Sequence, residues 1–375
     1  MYVLWRILVK ELLQLRHDRR MIPVMIVGPL MQLFALGFAA NTDVQHLPML
    51  LVDLDRTAAS RKLVDDFLGS GYFDLVGVEA TQEAVEPWLI AGRAEVVLVI
   101  ERGYGADLAA ERTAHVQIIA DGTNSNSAVV GLGYASRIVA AEGGELLERR
   151  LERLPEKERP GRTDLRPRVW YNPDLKSRWF YVPAITALTL MLLTLILPSM
   201  AVVREREIGT LEQISVTPIR PWQLILGKLL PFGLIGLVNV CLVTAAARVV
   251  FGVPFRGSFA LLLLLTLPFL VAMLGLGLFA STLVSTQQQA MMTSIFLLMV
   301  PMIYLSGLIF PIENMPHAIQ LATYAIPLRY YNHVIRGLYL KAAGLDVLWR
   351  EGLILTGFGV LNLVVASLRF RKSLD

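Results

Sequence analysis

Asp53 and Asp55 are the pair of carboxylates best spaced for acid/base or cation chemistry, because alternate residues of an extended strand project to one face. Arg56 beside them makes a salt-bridged turn the simpler reading. The histidines (His17, His46, His115, His317, His333) are scattered without metal-ligand spacing. The single cysteine, Cys241, excludes an intrachain disulfide and a cysteine metal cluster. Gly227-Lys228 is the one Gly-Lys pair, but Trp222 stands where a phosphate-cradling loop needs glycine and Leu229 follows. The pattern Gly131-Leu-Gly133-Tyr-Ala-Ser136 puts serine at the third glycine of a dinucleotide fingerprint. Gly275-Leu-Gly277-Leu-Phe-Ala280 fits better but lies in an apolar run, where small residues permit close helix packing. No nucleophile and base pair is present, so the chemistry these residues offer is not that of an enzyme.

Charge of another kind gathers at Arg204 to Lys228, REREIGTLEQISVTPIRPWQLILGK, between two long apolar stretches. Ile208, Leu211 and Ile214 recur at helical spacing while Glu205, Glu207 and Glu212 fall largely elsewhere, so the spacing predicts a short amphipathic helix over 204–217. Thr217-Pro218 and Arg220-Pro221 stop it and start the next helix. A stiff two-faced helix under a bilayer is placed to receive a push from a soluble partner; the plainer reading is a solvated topology marker.

The elements around that segment are membrane-sized. With 375 residues, 55% of them hydrophobic, and a mean hydropathy of +0.55, the chain is too apolar for an ordinary soluble globule. A net charge of +4 does not point to nucleic acid, since the basic residues flank apolar runs and form no continuous stripe. Residues 1–40 read as an amphipathic helix on an anionic inner leaflet followed by a first span, Met21 to Ala40. That apolar run is longer than a signal-peptide core, so no cleavage after Ala39 is expected. Five further spans are expected at Phe180 to Val203, Leu229 to about Val250, Ser258 to Val284, Ala290 to Phe310 and Gly352 to Leu368, the last at the short end. Arginine and lysine concentrate in the short segments that share a side with the amino terminus, which puts both termini in the cytoplasm.

The fold class expected is thus membrane α-helical, with six transmembrane helices and a mixed α/β extracytoplasmic domain, 41–179, between the first two. Within that domain β-branched runs at Pro48 to Leu54, Tyr72 to Val78, Glu95 to Ile100 and His115 to Ala120 alternate with helical patterns, which argues for some parallel pairing. Residues 180–375 hold the remaining five spans, with re-entrant or interfacial helices over 311–348. There Tyr324, Tyr330, Tyr331 and Tyr339 suit an outer headgroup layer, each ring apolar and each tip wet. Inside the spans Thr186, Thr189, Thr194, Asn239 and Ser294 could line a substrate route or hydrogen-bond between helices.

Glu205-Arg206-Glu207-Ile208-Gly209-Thr210-Leu211-Glu212-Gln213 followed by Thr217-Pro218 resembles the cytoplasmic coupling motif of the ABC-2 type transporter permeases, the membrane subunits of ATP-driven exporters. Val52-Asp53-Leu54-Asp55-Arg56 with Ser60-Arg61, and Pro327-Leu328-Arg329-Tyr330-Tyr331, are similar to weaker motifs of its longer members. The resemblance implies a separate ATPase, carrying ATP and magnesium, docked on Arg204, Glu205, Arg206, Glu207, Gly209, Thr210, Leu211 and Glu212 and on the amino-terminal helix. It also implies two permease subunits, as homodimer or heterodimer, with the pathway between their second and fifth spans. No cofactor is expected on this chain. The partners expected are the ATPase, the second permease, membrane lipid and a periplasmic membrane-fusion adaptor, in a bacterial inner membrane.

The function expected is export of a hydrophobic or amphipathic, drug-like or lipid-like, substrate. One alternative is a mechanotransmitting ABC subunit that moves an outer partner without carrying cargo, though such subunits usually have fewer spans after the outer domain. Another is a transmembrane sensor, which would end in a signalling module where only Arg369 to Asp375 follow here.

Overall fold

The computed structural model describes residues 2–17, 21–40, 46–152, 168, 170–173, 176–209 and 221–372. The chain divides into two compact units, Thr42–Pro167 on one side and Met1–Asn41 with Arg168–Asp375 on the other. Two helices open it, α1 (Tyr2–His17) and α2 (Met21–Ala39).

The smaller unit runs β1 (Leu47–Asp53), α3 (Ala58–Gly69), β2 (Phe73–Glu79), α4 (Val85–Ile90), β3 (Val96–Ile100), α5 (Tyr104–Ala109), β4 (Val116–Ala120) and α6 (Ser125–Glu152). The sheet order is β2-β1-β3-β4, parallel except for the β3–β4 pair. Every residue of β3 is buried because both faces of the sheet are covered, so it reads as an unbroken apolar run rather than an alternation. Leu98 and Ile100 pack with Leu63, Phe67 and Phe73 on one face, and Val97 and Val99 with Val52 and Val85 on the other. All four expected strands are present. Helix α5 was not expected: its six residues are too short for a periodic signal, and it opens at Gly103 in the left-handed region (φ 90°).

The larger unit continues with α7 (Ser177–Glu207), α8 (Pro221–Phe251), α9 (Phe259–Ser281), α10 (Gln287–Leu305), α11 (His317–Thr323), α12 (Pro327–Arg336) and α13 (Leu345–Lys372). Among the described residues five helices are long and apolar enough to cross a membrane, in α7, α8, α9, α10 and α13, and α2 contributes a shorter apolar stretch, Met25–Ala39. The last of the five extends seven residues further toward its amino end than the run from Gly352 implied, because Leu345 to Glu351 stay helical around Trp349.

Helix α7 is the hub. Of its most apolar window 78% is buried inside this chain, against 17% for α10 and for α13. Helices α9 and α13 lie side by side in parallel, as paired approaches at Gly352 with Leu265, Gly359 with Val271 and Gly275 with Asn362 show. A side chain at Gly277 would come 2.5 Å from the carbonyl oxygen of Leu195, so the Gly275/Gly277 pattern serves helix packing on two sides at once. Helix α2 runs parallel to α8: the Asn239 amide donates to the Met25 carbonyl at 3.2 Å, and Phe251 covers Gly37.

One expectation is corrected between α10 and α13. Tyr331 and Tyr339 are fully buried and not at a wet boundary. The Tyr331 ring stacks on Phe269 at 4.0 Å and its hydroxyl lies 2.8 Å from Thr266 Oγ1, while Tyr339 donates to Thr244 Oγ1 at 2.8 Å. Threonines on neighbouring spans thus satisfy both phenols, and α12 enters the core; Tyr324 alone of the four is strongly exposed.

Candidate functional site

Arginine and glutamate are good helix formers, and nothing between Ser199 and Glu207 breaks a helix, so RERE continues α7 instead of opening a new one. This corrects the reading of Arg204 to Glu207 as part of a separate amphipathic helix. The break comes at Gly209, whose φ of 77° ends α7 as only glycine does readily. Arg204 and Arg206 sit in the last turn, where cations complement the negative end of the helix dipole. Thr210, Leu211 and Glu212, with the rest of 210–220, lie outside the described residues.

Successive residues of that last turn reach different neighbours, because each step rotates about 100° around the axis. Glu205 pairs with Lys228 of α8, and its other oxygen lies 3.5 Å from Lys10 Nζ of α1. Lys10 also lies 3.5 Å from Glu11, so α1, α7 and α8 share one node of alternating charge. Lys228 is only 6% exposed. Arg206 donates to the Val284 carbonyl at 3.1 Å, and Glu207 accepts from the Gln287 backbone N–H at 2.8 Å and its side-chain amide at 2.5 Å. Those bonds fasten α7 to the turn between α9 and α10, where Thr286 and Gln289 form a capping box. The end of α7 is therefore held from two sides, and Glu205 and Glu207 are engaged within the chain. These are two of the residues that the resemblance implied for docking, and both have partners within this chain.

The proposed lining residues are spread over α7, α8 and α10. Thr186, Thr189 and Thr194 are buried, each hydroxyl donating to the carbonyl four residues back, at 3.1, 2.8 and 2.7 Å. Thr194 approaches Gly236 where α7 crosses α8, one turn from Asn239. Asn239 uses its amide on Met25, and its Oδ1 has no partner among the described residues. Ser294 lies in the π-helical turn Thr293–Met299 of α10, its buried hydroxyl also without a partner among the described residues. A π turn interrupts regular hydrogen bonding and often marks a functional position.

Lys228 escaped the sequence reading as a site residue. A lone lysine seven residues into an apolar helix was the signal, since an ionisable group there needs a named partner. In the sheet unit Asp53 and Asp55 fold into the turn after β1: Asp53 accepts from the Asp55 and Arg56 amides and from Ser60 Oγ, and Asp55 from Thr57 Oγ1 and the Gly103 and Gly105 amides. Burial opposes the Asp55 charge, but those three donors outweigh it and hold its carboxyl below the usual carboxylate range. The turn is structural.

Apolar helices of membrane length, fastened at one end by a charged node, define a polytopic membrane subunit. The chain belongs to the ABC-2 family of transporter proteins, whose family model matches residues 19–368. It is 33% identical over 348 residues, 93% of this chain and 92% of the relative, to "Probable multidrug ABC transporter permease YbhR" of Escherichia coli K12. It is 30% identical to "Probable multidrug ABC transporter permease YbhS" of the same organism over 98% of this chain and 96% of the relative. "Inner membrane transport permease YhhJ" is 26% identical over 98% and 96%. The protein is a permease subunit of an ABC transporter, not an enzyme; a separate subunit hydrolyses ATP, and the family implies a dimeric arrangement.

Proposed function

We propose that this subunit exports a hydrophobic or amphipathic substrate across the bacterial inner membrane. In this reading α2 is the sixth span, both termini are cytoplasmic, and the sheet unit is extracytoplasmic, where it is free to meet a membrane-fusion adaptor. ATP and magnesium act on the partner ATPase, which docks on the segment after Gly209 and on α1.

The observation that carries the reading is the two-sided hold on the last turn of α7. A segment pushed beyond Gly209 moves α7 through a fixed joint, and α7 touches α2, α8, α9, α10 and α12. The multidrug names of two relatives and a wholly apolar groove of about 240 Å³ between α8, α9 and α13, lined by Leu226, Leu230, Leu234, Leu267 and Leu363, support a lipophilic cargo.

The test is ATP-driven efflux of a lipophilic dye by membrane vesicles holding the permease and its ATPase. Glu212→Lys is expected to leave ATP hydrolysis measurable and to abolish most efflux. Normal efflux by that variant would remove the docking assignment.

A further inference from the structure

We propose that the face of α12 bearing Asn332 and Arg336 binds a phosphate-type oxyanion. This holds whatever the cargo, and it concerns the end of α7 opposite to Glu205. Arg336 has no carboxylate within ion-pair distance among the described residues. Its two terminal nitrogens reach only the Gly307 carbonyl, at 3.4 and 3.5 Å, and its Nε is buried without an acceptor. Asn332 stands one turn earlier on the same helical face, is 2% exposed, and has no partner for either amide atom among the described residues.

Idle buried donors destabilise a fold, and a guanidinium without an anion in an apolar setting does so most. The Phe180 ring covers the guanidinium at 3.8 Å from its centroid. A ring on the face leaves the edge plane, where all five guanidinium N–H bonds lie, to acceptors, and among the described residues that edge meets only the long Gly307 contacts. Two oxygens of one anion match such an edge, which is why arginine recognises phosphate bidentately. The Asn332 amide N–H adds a donor from the preceding turn. Leu308 and Ile335, the chain neighbours of Gly307 and Arg336, are buried and apolar, so an oxyanion on an apolar body is tested beside a free one.

The experiment is thermal unfolding of the full chain in detergent, followed by tryptophan fluorescence. The additions are short-chain phosphatidylglycerol, phosphatidylcholine of the same chain length, inorganic phosphate, and sodium chloride at matched ionic strength. Phosphatidylglycerol is expected to raise the midpoint in a saturable way and chloride is not. A rise with inorganic phosphate alone assigns the site to the free anion, and a rise with the lipid alone assigns it to a headgroup. Arg336→Gln is expected to abolish the response. Asn332→Leu is expected to raise the unliganded midpoint, by removing an idle amide, while weakening the response several-fold, so loss of binding is separable from misfolding. No shift with any phosphate probe, an equal shift with chloride, or full responses in both variants would overturn the assignment.

Discussion

A buried cation and a half-buried one lie beside opposite ends of one helix and are treated in opposite ways. From Phe180, beside Arg336, to Glu205, beside Lys228, α7 runs roughly 38 Å at about 1.5 Å per residue. Lys228 has a carboxylate from α7 against it, with a second lysine from α1 on the other oxygen. Arg336 has an aromatic ring, a carbonyl and, among the described residues, no carboxylate. A paired charge inside a fold is a fastening, since separating its members strands both. An unpaired one is an open valence. The contrast marks one end of α7 as a joint that must not slip and the other as a place where something binds.

The largest effect tests the joint. Glu205→Gln leaves Lys228 buried with no charged partner on α7, and breaking a buried pair in this way costs about 3–5 kcal/mol. The variant is expected to unfold at a clearly lower temperature in detergent. The double variant Glu205→Met with Lys228→Met is expected to return to within about 2 kcal/mol of the parent, since an apolar replacement strands nothing. A single variant as stable as the parent would mean that Lys228 is hydrated, and the contrast would collapse.

Much of this was legible beforehand. The four strands announced themselves by β-branched runs between turn residues, and the long spans by uninterrupted apolar stretches. What periodicity could not show was where helices stop when no breaker intervenes: RERE has the composition of a solvated loop and the propensities of a helix, and propensity won up to Gly209. Nor could it show partners distant in sequence. Lys228 and Lys10 come to Glu205 only in the fold, and Tyr331 and Tyr339 look interfacial until Thr266 and Thr244 meet their hydroxyls. The idle amide of Asn332 is visible only by counting donors and acceptors in three dimensions.

The other end of α7 should respond less. Arg336→Met gives up a cation–π contact of about 0.5–2 kcal/mol and two long hydrogen bonds, but also removes an idle buried donor. Without ligand the net change is expected to stay within about 1 kcal/mol, read from denaturant midpoints. A loss as large as that of Glu205→Gln would show that Arg336 is paired after all.

A third case sharpens the rule by satisfying a charge without any counter-ion. Asp55 is held by three hydrogen-bond donors, so its carboxyl titrates lower when folded than when unfolded. Its contribution is therefore fully present above the ordinary carboxylate value, about 3.9, and is lost as pH falls through the lower folded value. Hydrogen exchange in peptides covering Gly103 and Gly105 is expected to rise at the acid end of a titration. In Asp55→Asn the same peptides should exchange faster at neutral pH and show a flatter acid response. An unchanged profile in that variant would mean the turn is held by Asp53 alone.

The smallest effects separate a satisfied hydroxyl from an idle one. Thr189 donates to its own helix at 2.8 Å, and such a back-bond adds little to stability, so Thr189→Val is expected to shift unfolding by less than about 1 kcal/mol. The Ser294 hydroxyl is buried with no partner, so Ser294→Ala removes a desolvated group and should leave the protein equally or up to about 1 kcal/mol more stable. Transport then decides what the hydroxyl is for. If substrate passes the π turn of α10, Ser294→Ala changes efflux while improving stability, a combination that packing alone does not produce. If Thr189→Val changes efflux and Ser294→Ala does not, the route follows the buried face of α7, and the unpartnered group on α10 is only a packing defect.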